Sequence, residues 1–273
     1  MIKFYQVYPG LSLFALWLLP AMLSAQEAKH HWVNLSGGWN YAQMRDEGMS
    51  PLLYKGSIFS FITGYETLTA KGIQAVMLSI AGGNAKPATS GFSRADAFTI
   101  RADADYTFMP ETWSSDNRKY IVYSGGSLMN VATVRQHSLY SNNDYNYEFF
   151  SSLAAAGNLK RKLQVLKHRF DLDWQLRLPF LSFALRPAFA SSAVEKYDPE
   201  EYSLTGSALR SGEFVSVNHL LRLNSQLSGT YFLNNGNALR LGYSWDYYSY
   251  SKIEINRVKA GFHSITFSTL FNL

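Results

Sequence analysis

The sequence predicts an all-β protein: a closed antiparallel transmembrane β-barrel of about ten strands, with eight to twelve compatible with the strand boundaries. The chain starts with an apolar segment of leader type. The remainder alternates apolar and polar side chains with a period of two, and the polar faces carry charges in mid-strand. Turn-forming stretches separate the alternating segments, and no segment has a convincing helical pattern.

Residues 1–25 have the features of a cleaved signal peptide. Lys3 precedes the apolar stretch from Leu11 to Pro20, and Ala25 supplies a small residue before the cleavage point. A membrane anchor is the alternative, but roughly 20 apolar residues are needed to span a bilayer and this stretch is shorter. We therefore expect export, with residues 26–273 forming a single barrel domain.

The composition excludes several kinds of site. The 273 residues contain no cysteine, which removes disulfides, thiolate metal sites and cysteine nucleophiles. No cluster of Lys and Arg interleaves with a stacking platform, so the formal charge of +5 does not indicate nucleic acid as a partner. The histidines show no metal-ligand pairing, and we expect neither a metal nor a cofactor.

The alternation defines the strands in order along the chain. In the first of them Val33, Leu35 and Trp39 form an apolar face, and Asn34 and Ser36 lie on the other face. The same pattern recurs to the end of the chain. It predicts strands near residues 32–45, 56–68, 72–82, 94–108, 119–131, 146–163, 168–190, 214–233, 238–250 and 258–273.

The contents of the two faces distinguish a membrane barrel from a soluble sandwich. A sandwich turns its charged residues outward, whereas a membrane barrel turns apolar residues toward lipid and polar ones inward. Arg101 and Asp103 lie in mid-strand on the polar face, and Trp245 and Tyr247 lie toward a strand end on the apolar face. In hydrocarbon every backbone polar group needs a partner within the protein, so the sheet must close. We expect the termini in the periplasm and the loops outside the cell.

The C-terminal segment "HSITFSTLFNL" alternates up to its final residue. We expect this strand to close the barrel against the first one. Its predicted lipid-facing side chains are Ile265, Phe267, Phe271 and Leu273, and its predicted inward ones are Ser264, Thr266, Ser268 and Asn272. The segment resembles the C-terminal signature of bacterial outer-membrane proteins, with Leu273 in place of a terminal Phe. The resemblance implies recognition by the barrel-assembly machinery and contact with outer-membrane lipid and lipopolysaccharide.

Four stretches distributed along the chain carry a second resemblance. They are "MSPLLYKG", "RLPFLSFALRPAF", "ALRLGYSWDYYSY" and "RVKAGFHSITFSTLFNL". They resemble segments of an uncharacterised family of outer-membrane barrels from the Bacteroidota. The resemblance implies an outer-membrane location. It brings no established activity or catalytic residues to this chain.

The charges predicted to lie inside the barrel are the first candidate site. They are Arg101, Asp103, Asp105, Asp171, Asp173, Arg177, Arg222, Arg240 and Asp246. An eight-stranded barrel is just filled by its own side chains, so about ten strands leave a narrow lumen. Because an unpaired buried charge is costly, we expect the acids and arginines to neutralise one another. A narrow conduit or a small-ligand cavity is the alternative to such a self-satisfied core.

The segment "RQHSLYSNND" is the second candidate, with His137, Ser141 and Asn142. It is similar to outer-membrane phospholipases and lipid A deacylases in placing a histidine and serines on the barrel wall. In those enzymes one residue separates the pair, but His137 and Ser141 are four positions apart, about 13 Å in an extended strand. We therefore expect a non-enzymatic barrel that acts as a narrow channel, small-ligand binder or envelope scaffold. An embedded lipid hydrolase is the alternative.

Overall fold

A computed structural model describes residues 28–69, 71–89, 96–137, 145–165, 168–186, 212–251 and 257–273. The predicted leader, residues 1–25, lies outside these ranges, as do Ser141 and Asn142. Within them, every regular element is a strand. No helix in this part of the chain is long and apolar enough to cross a membrane.

The strands form a single antiparallel sheet. Their bounds are β1 Ala28–Asp46, β2 Ser50–Thr69, β3 Gly72–Pro87, β4 Ala97–Ser114, β5 Tyr120–His137, β6 Tyr145–Val165, β7 His168–Leu185, β8 Glu213–Ser216, β9 Leu220–Phe232, β10 Ala238–Tyr250 and β11 Val258–Asn272. Strands β8 and β9 both pair with β7 and share one position in the ring. The predicted closed antiparallel barrel of ten strand positions is confirmed.

The barrel closes between β11 and β1. Their register runs from Trp32 opposite Asn272 to Asp46 opposite Val258. The backbone amide of Leu273 also donates to the carbonyl of His31 at 3.0 Å. Since β1 pairs with β2 along its other edge, the sheet has no free edge at this seam.

The two ends of the barrel have connections of different length. At one end, which we call the turn end, residues 70–71, 115–119, 166–167 and 233–237 connect the strands, and β1 begins and β11 ends there. At the other, the loop end, the connections are 47–49, 88–96, 138–144, 186–212 and 251–257. Bacterial outer-membrane barrels have short periplasmic turns and longer extracellular loops. This asymmetry favours an orientation with the loop end outside the cell.

The outer wall is apolar, as expected for a barrel that spans a membrane. Its exposed side chains include Phe59, Phe61, Ile80, Leu227, Leu241, Ile265 and Phe267. The inner wall carries buried polar and charged groups such as Asn34, Ser36, Arg222 and Asp246. A soluble protein rarely exposes so continuous an apolar surface.

The inner wall is not uniformly polar. Toward the loop end it becomes an apolar core, which includes Met44, Tyr54, Ile58, Val131, Phe150, Leu220, Tyr248, Tyr250, Val258 and Phe262. The alternation predicts polar groups and mutually neutralising charges inside the barrel, so this apolar core differs from the prediction. It arises because inward positions of single strands change from polar to apolar along their length, as from Asn40 to Ala42 and Met44 on β1.

Candidate functional site

A polar cavity of ≈ 270 Å³ lies inside the barrel, between the apolar core and the turn end. The nine lumen charges predicted from the sequence all line it: Arg101, Asp103, Asp105, Asp171, Asp173, Arg177, Arg222, Arg240 and Asp246. Glu66 and Lys160 line it as well and are absent from the predicted set. The structure therefore brings the predicted charges around one space.

Four charged side chains meet in the middle of the barrel. Arg101 on β4 binds Asp103, with 2.7 Å from Nη2 to Oδ1, and also contacts Asp246 on β10. Arg222 on β9 donates to Asp246 through Nε at 3.1 Å and Nη2 at 2.9 Å. Strands β4 and β10 are the fourth and ninth of the ten positions, so they lie opposite one another. The ion pair of Arg101 and Asp246 consequently spans the lumen.

A second pair crosses the cavity between β7 and β4. Arg177 Nη1 lies 2.7 Å from Asp105 Oδ2. The same guanidinium donates to Asn224 Oδ1, through Nε at 3.1 Å and Nη2 at 2.9 Å. All three side chains are thus held in fixed positions on the cavity wall.

A third set of ion pairs lies nearer the turn end. Arg240 binds Glu66 with both ends of its guanidinium, at 2.7 Å and 2.9 Å, and Asn34 donates to Glu66 at 3.0 Å. Lys160 Nζ lies 3.3 Å from Asp173 Oδ1 and 3.7 Å from Asp171 Oδ2. Glu66 occupies an inward position of β2, two residues beyond Gly64. The alternation of β2 could therefore have identified Glu66 as a lumen charge.

Pairing within the cavity is incomplete. Among the described residues, several buried polar atoms on its wall have no hydrogen-bond partner in the protein: Ser60 Oγ, Asp105 Oδ1, Asn158 Oδ1, both carboxylate oxygens of Asp171, and Arg222 Nη1. A buried polar group left without a partner costs about 1–3 kcal/mol. The cavity therefore presents donors and acceptors that a polar molecule can satisfy.

The charges around the cavity nearly cancel. Six carboxylates (Glu66, Asp103, Asp105, Asp171, Asp173, Asp246) face five bases (Arg101, Lys160, Arg177, Arg222, Arg240), a difference of one negative charge. Such a lining gives no strong preference for cations or anions. It suits a neutral or zwitterionic polar molecule.

A ring of four buried charges, which we call the ion ring, lies at the loop end. Arg135 donates to Asp46 at 3.0 Å and to Glu148 at 2.5 Å. Arg186 donates to Glu148 at 2.9 Å and contacts Asp46. Tyr248 adds hydrogen bonds to Glu148 and Arg135. None of these residues is in the predicted set, although Arg135 and Glu148 occupy inward positions of β5 and β6.

The ion ring and the apolar core close the lumen at the loop end. The side chains of Arg135, Tyr248, Tyr250, Phe150 and Met44 are all less than 2% exposed. The cavity lining stops at Ile58, Phe262 and the central charges. The described residues therefore leave no continuous passage along the axis in this half.

His137, the third residue of the "RQHSLYSNND" segment, lies on the inner wall of the barrel. Its ring faces the barrel interior, is 1% exposed, and lies 2.8 Å from the Tyr54 hydroxyl through Nε2. Ser141 and Asn142 lie outside the described residues. Among the described residues there is also no group of three or more potential metal ligands.

Comparisons with known proteins extend to the fold alone. No protein-family model matches the chain, and no curated protein sequence matches it. Among solved structures, the outer-membrane protease OmpT from Escherichia coli has a TM-score of 0.44 and 8% identity, over 89% of this chain and 95% of that one. The translocator domain of the autotransporter NalP from Neisseria meningitidis has a TM-score of 0.42 and 10% identity, over 97% and 96%.

A third similar structure is the COG4313 outer-membrane channel from Pseudomonas putida F1, with a TM-score of 0.32 and 8% identity over 91% of this chain and 98% of that one. These proteins include a protease, a translocator and a channel. At such low scores and identities they transfer no residue role to this chain. The resemblance to a Bacteroidota family stays a prediction.

Proposed function

We propose that this protein is a non-enzymatic integral β-barrel of the bacterial outer membrane that binds a small polar solute in its lumen. The observation that carries the proposal is the polar cavity with unpartnered donors and acceptors, lying below a closed loop end. The apolar outer wall and the unequal connections support the membrane and the orientation. We expect lipid and lipopolysaccharide around the wall, and recognition of β11 by the barrel-assembly machinery.

The size and charge of the cavity limit the solute. Pockets for small molecules usually measure about 300–1,000 Å³, so a cavity of ≈ 270 Å³ suits a molecule no larger than a monosaccharide or an amino acid. The nearly balanced lining favours a neutral or zwitterionic compound. A permanently open channel is less well supported, because buried side chains fill the loop half of the lumen.

Electrical recording tests the closed loop end. The purified barrel is reconstituted in planar bilayers, and ionic current is measured at both polarities. We expect no steady current. A steady, voltage-independent current in the wild-type protein would replace the proposed binder with an open channel.

Native mass spectrometry tests solute binding. The barrel is extracted under mild conditions from the membrane in which it is made, and adducts of small mass are compared between variants. We expect Asn158→Leu, which removes an unpartnered acceptor from the cavity wall, to lose adducts that the wild type retains. Leu159→Ile, the next residue on the exposed face of β6, is the matched control. A wild-type protein without adducts, or equal adducts in Asn158→Leu, would overturn the proposal.

A further inference from the structure

Five basic side chains lie together on the outside of the barrel near the loop end. They are Arg45 on β1, Lys55 on β2, Lys86 on β3, Lys259 on β11, and Arg257 immediately before β11. Arg45 lies directly opposite Lys259, and Lys55 lies directly opposite Lys86. We call these five residues the basic row. It follows four consecutive strands across the seam at which the barrel closes.

The basic row has no carboxylate partners within the described part of the chain. None of its members forms an ion pair there, and Arg45 donates only to the carbonyl of Pro51, at 2.8 Å. The backbone amide of Glu47, in the adjacent β1–β2 turn, donates to the carbonyl of Arg257 at 2.9 Å, but the carboxylate of Glu47 forms no ion pair with the row. Like charges directly opposite one another on neighbouring strands destabilise a sheet. The arrangement therefore weakens the free barrel and is relieved by a bound anion.

Two exposed arginines at the turn end are different, because each has a partner. Arg118 binds Glu111 at 2.5 Å, and Arg161 lies over the ring of Tyr120, 5.4 Å from its centroid. The adjoining strands β4 and β5 carry neutral outward residues near the loop end, such as Phe98, Val134 and Gln136. Among the described residues, the basic row therefore differs in placing five cations without ion pairs on neighbouring strands.

An aromatic band lies beside the basic row, on β2, β1, β11 and the neighbouring β10, nearer the middle of the barrel. Trp39 and Tyr41 on β1, Phe59 on β2, Trp245 on β10 and His263 on β11 form it. Tyr41 lies opposite His263, and the rings of Trp245 and His263 stack with centroids 6.4 Å apart. Aromatic belts mark the boundary between hydrocarbon and headgroups. The cations of the basic row are therefore at headgroup level.

We propose that the basic row binds the phosphate groups of a phosphorylated glycolipid in the outer leaflet, with its acyl chains lying along the aromatic band. Lys and Arg supply charge-assisted hydrogen bonds to phosphate oxygens. A lipid that carries several phosphates on a sugar headgroup can contact cations spread over four strands. A headgroup with a single phosphate is smaller and contacts fewer of them. The inference rests on the proposed membrane embedding and orientation, and it is independent of the lumen solute.

Lipid titration of the folded barrel in detergent micelles tests this site. The probes are diphosphoryl lipid A, chemically dephosphorylated lipid A, phosphatidylglycerol and inorganic phosphate, each followed by native mass spectrometry. We expect diphosphoryl lipid A to bind most tightly. The triple variant Lys55→Gln, Lys86→Gln, Lys259→Gln should bind it on the order of 100-fold more weakly, as for three cations removed from a charged bilayer surface.

Two controls separate the lipid-binding site from the proposed membrane barrel itself. Lys119→Gln combined with Arg161→Gln removes two cations from the turn end and should leave lipid A binding unchanged. Heat-dependent gel mobility shows whether each variant is a folded barrel, and a wild-type protein that never forms one would refute the membrane barrel itself. If the folded triple variant binds normally, or if dephosphorylated lipid A or phosphatidylglycerol binds as well as diphosphoryl lipid A, the site is refuted. Equal binding of inorganic phosphate at the same concentration would also refute it, since it would show an anion site without lipid.

Discussion

The two halves of the barrel interior are built from the same strands and differ in their contents. In the loop half, an apolar core surrounds the ion ring, whose charged side chains are at most 3% exposed. In the turn half, a cavity of ≈ 270 Å³ separates ion pairs such as Arg177–Asp105, whose side chains are 12–13% exposed. The closed region and the cavity are thus separated along the barrel axis. We therefore expect an ion pair to contribute more to the free energy of unfolding in the loop half than in the turn half.

The largest effect is expected from removing a carboxylate of the ion ring. Glu148→Ala leaves Arg135 and Arg186 buried without one of their two acidic partners. Removing one partner of a buried ion pair, which leaves the other charge buried, costs about 3–5 kcal/mol. Urea unfolding of the barrel in lipid vesicles, followed by tryptophan fluorescence, measures the change. A loss below about 1 kcal/mol, the range of exposed ion pairs, would contradict the solvent-excluded character of the loop half.

A smaller loss is expected when the ion ring keeps its charges and loses a supporting hydroxyl. Tyr248→Phe removes hydrogen bonds to Glu148 and Arg135 and preserves the packing of the ring against Phe150. We expect about 1–3 kcal/mol of destabilisation in the same unfolding measurement. Tyr243→Phe, on the exposed outer wall, is the control, and it should cost less than Tyr248→Phe. Equal losses in the two variants would show that the buried hydroxyl of Tyr248 stabilises the barrel no more than an exposed one.

A glutamate in the turn half gives the direct contrast to Glu148. Glu66→Ala also removes the partner of an arginine, Arg240, and that arginine faces a cavity with room for several water molecules. Because water can solvate the guanidinium, we expect a loss of about 1 kcal/mol, near the upper limit for exposed pairs. The difference between Glu148→Ala and Glu66→Ala is the critical quantity. If the two losses are equal, the halves do not differ in solvation.

The smallest effect is expected at Lys160, which interacts with its acids at 3.3 Å and 3.7 Å. Lys160→Gln should change the free energy of unfolding by less than about 1 kcal/mol and make it less sensitive to salt. Unfolding curves recorded at low and high ionic strength test both expectations. A loss as large as that of Glu148→Ala would place Lys160 in a solvent-excluded environment.

The sequence predicts well which residues of each strand face the interior. It predicts poorly how far along the barrel axis each residue lies. Alternation together with the contents of the two faces predicted the closed barrel, and the alternation identified nine charged residues that the structure places around the cavity. It did not predict that the inward face of β10 changes from Arg240 and Asp246 to Tyr248 and Tyr250. A period of two distinguishes inside from outside, whereas position along the axis depends on how neighbouring strands are staggered. The ion ring was missed for a second reason, since Arg186 follows the end of β7 and its two acidic partners come from β1 and β6.

The seam between β1 and β11 has a consequence for biogenesis. Its residues are far apart in sequence: the hydroxyls of Ser36 and Ser268, which bond at 2.7 Å, are separated by 232 positions. Such pairings have high contact order and form slowly. Until β11 has been synthesised, β1 has one unpaired edge and the apolar wall has no bilayer around it, a state prone to aggregation. The ring can therefore close only once β11 is available to pair with β1.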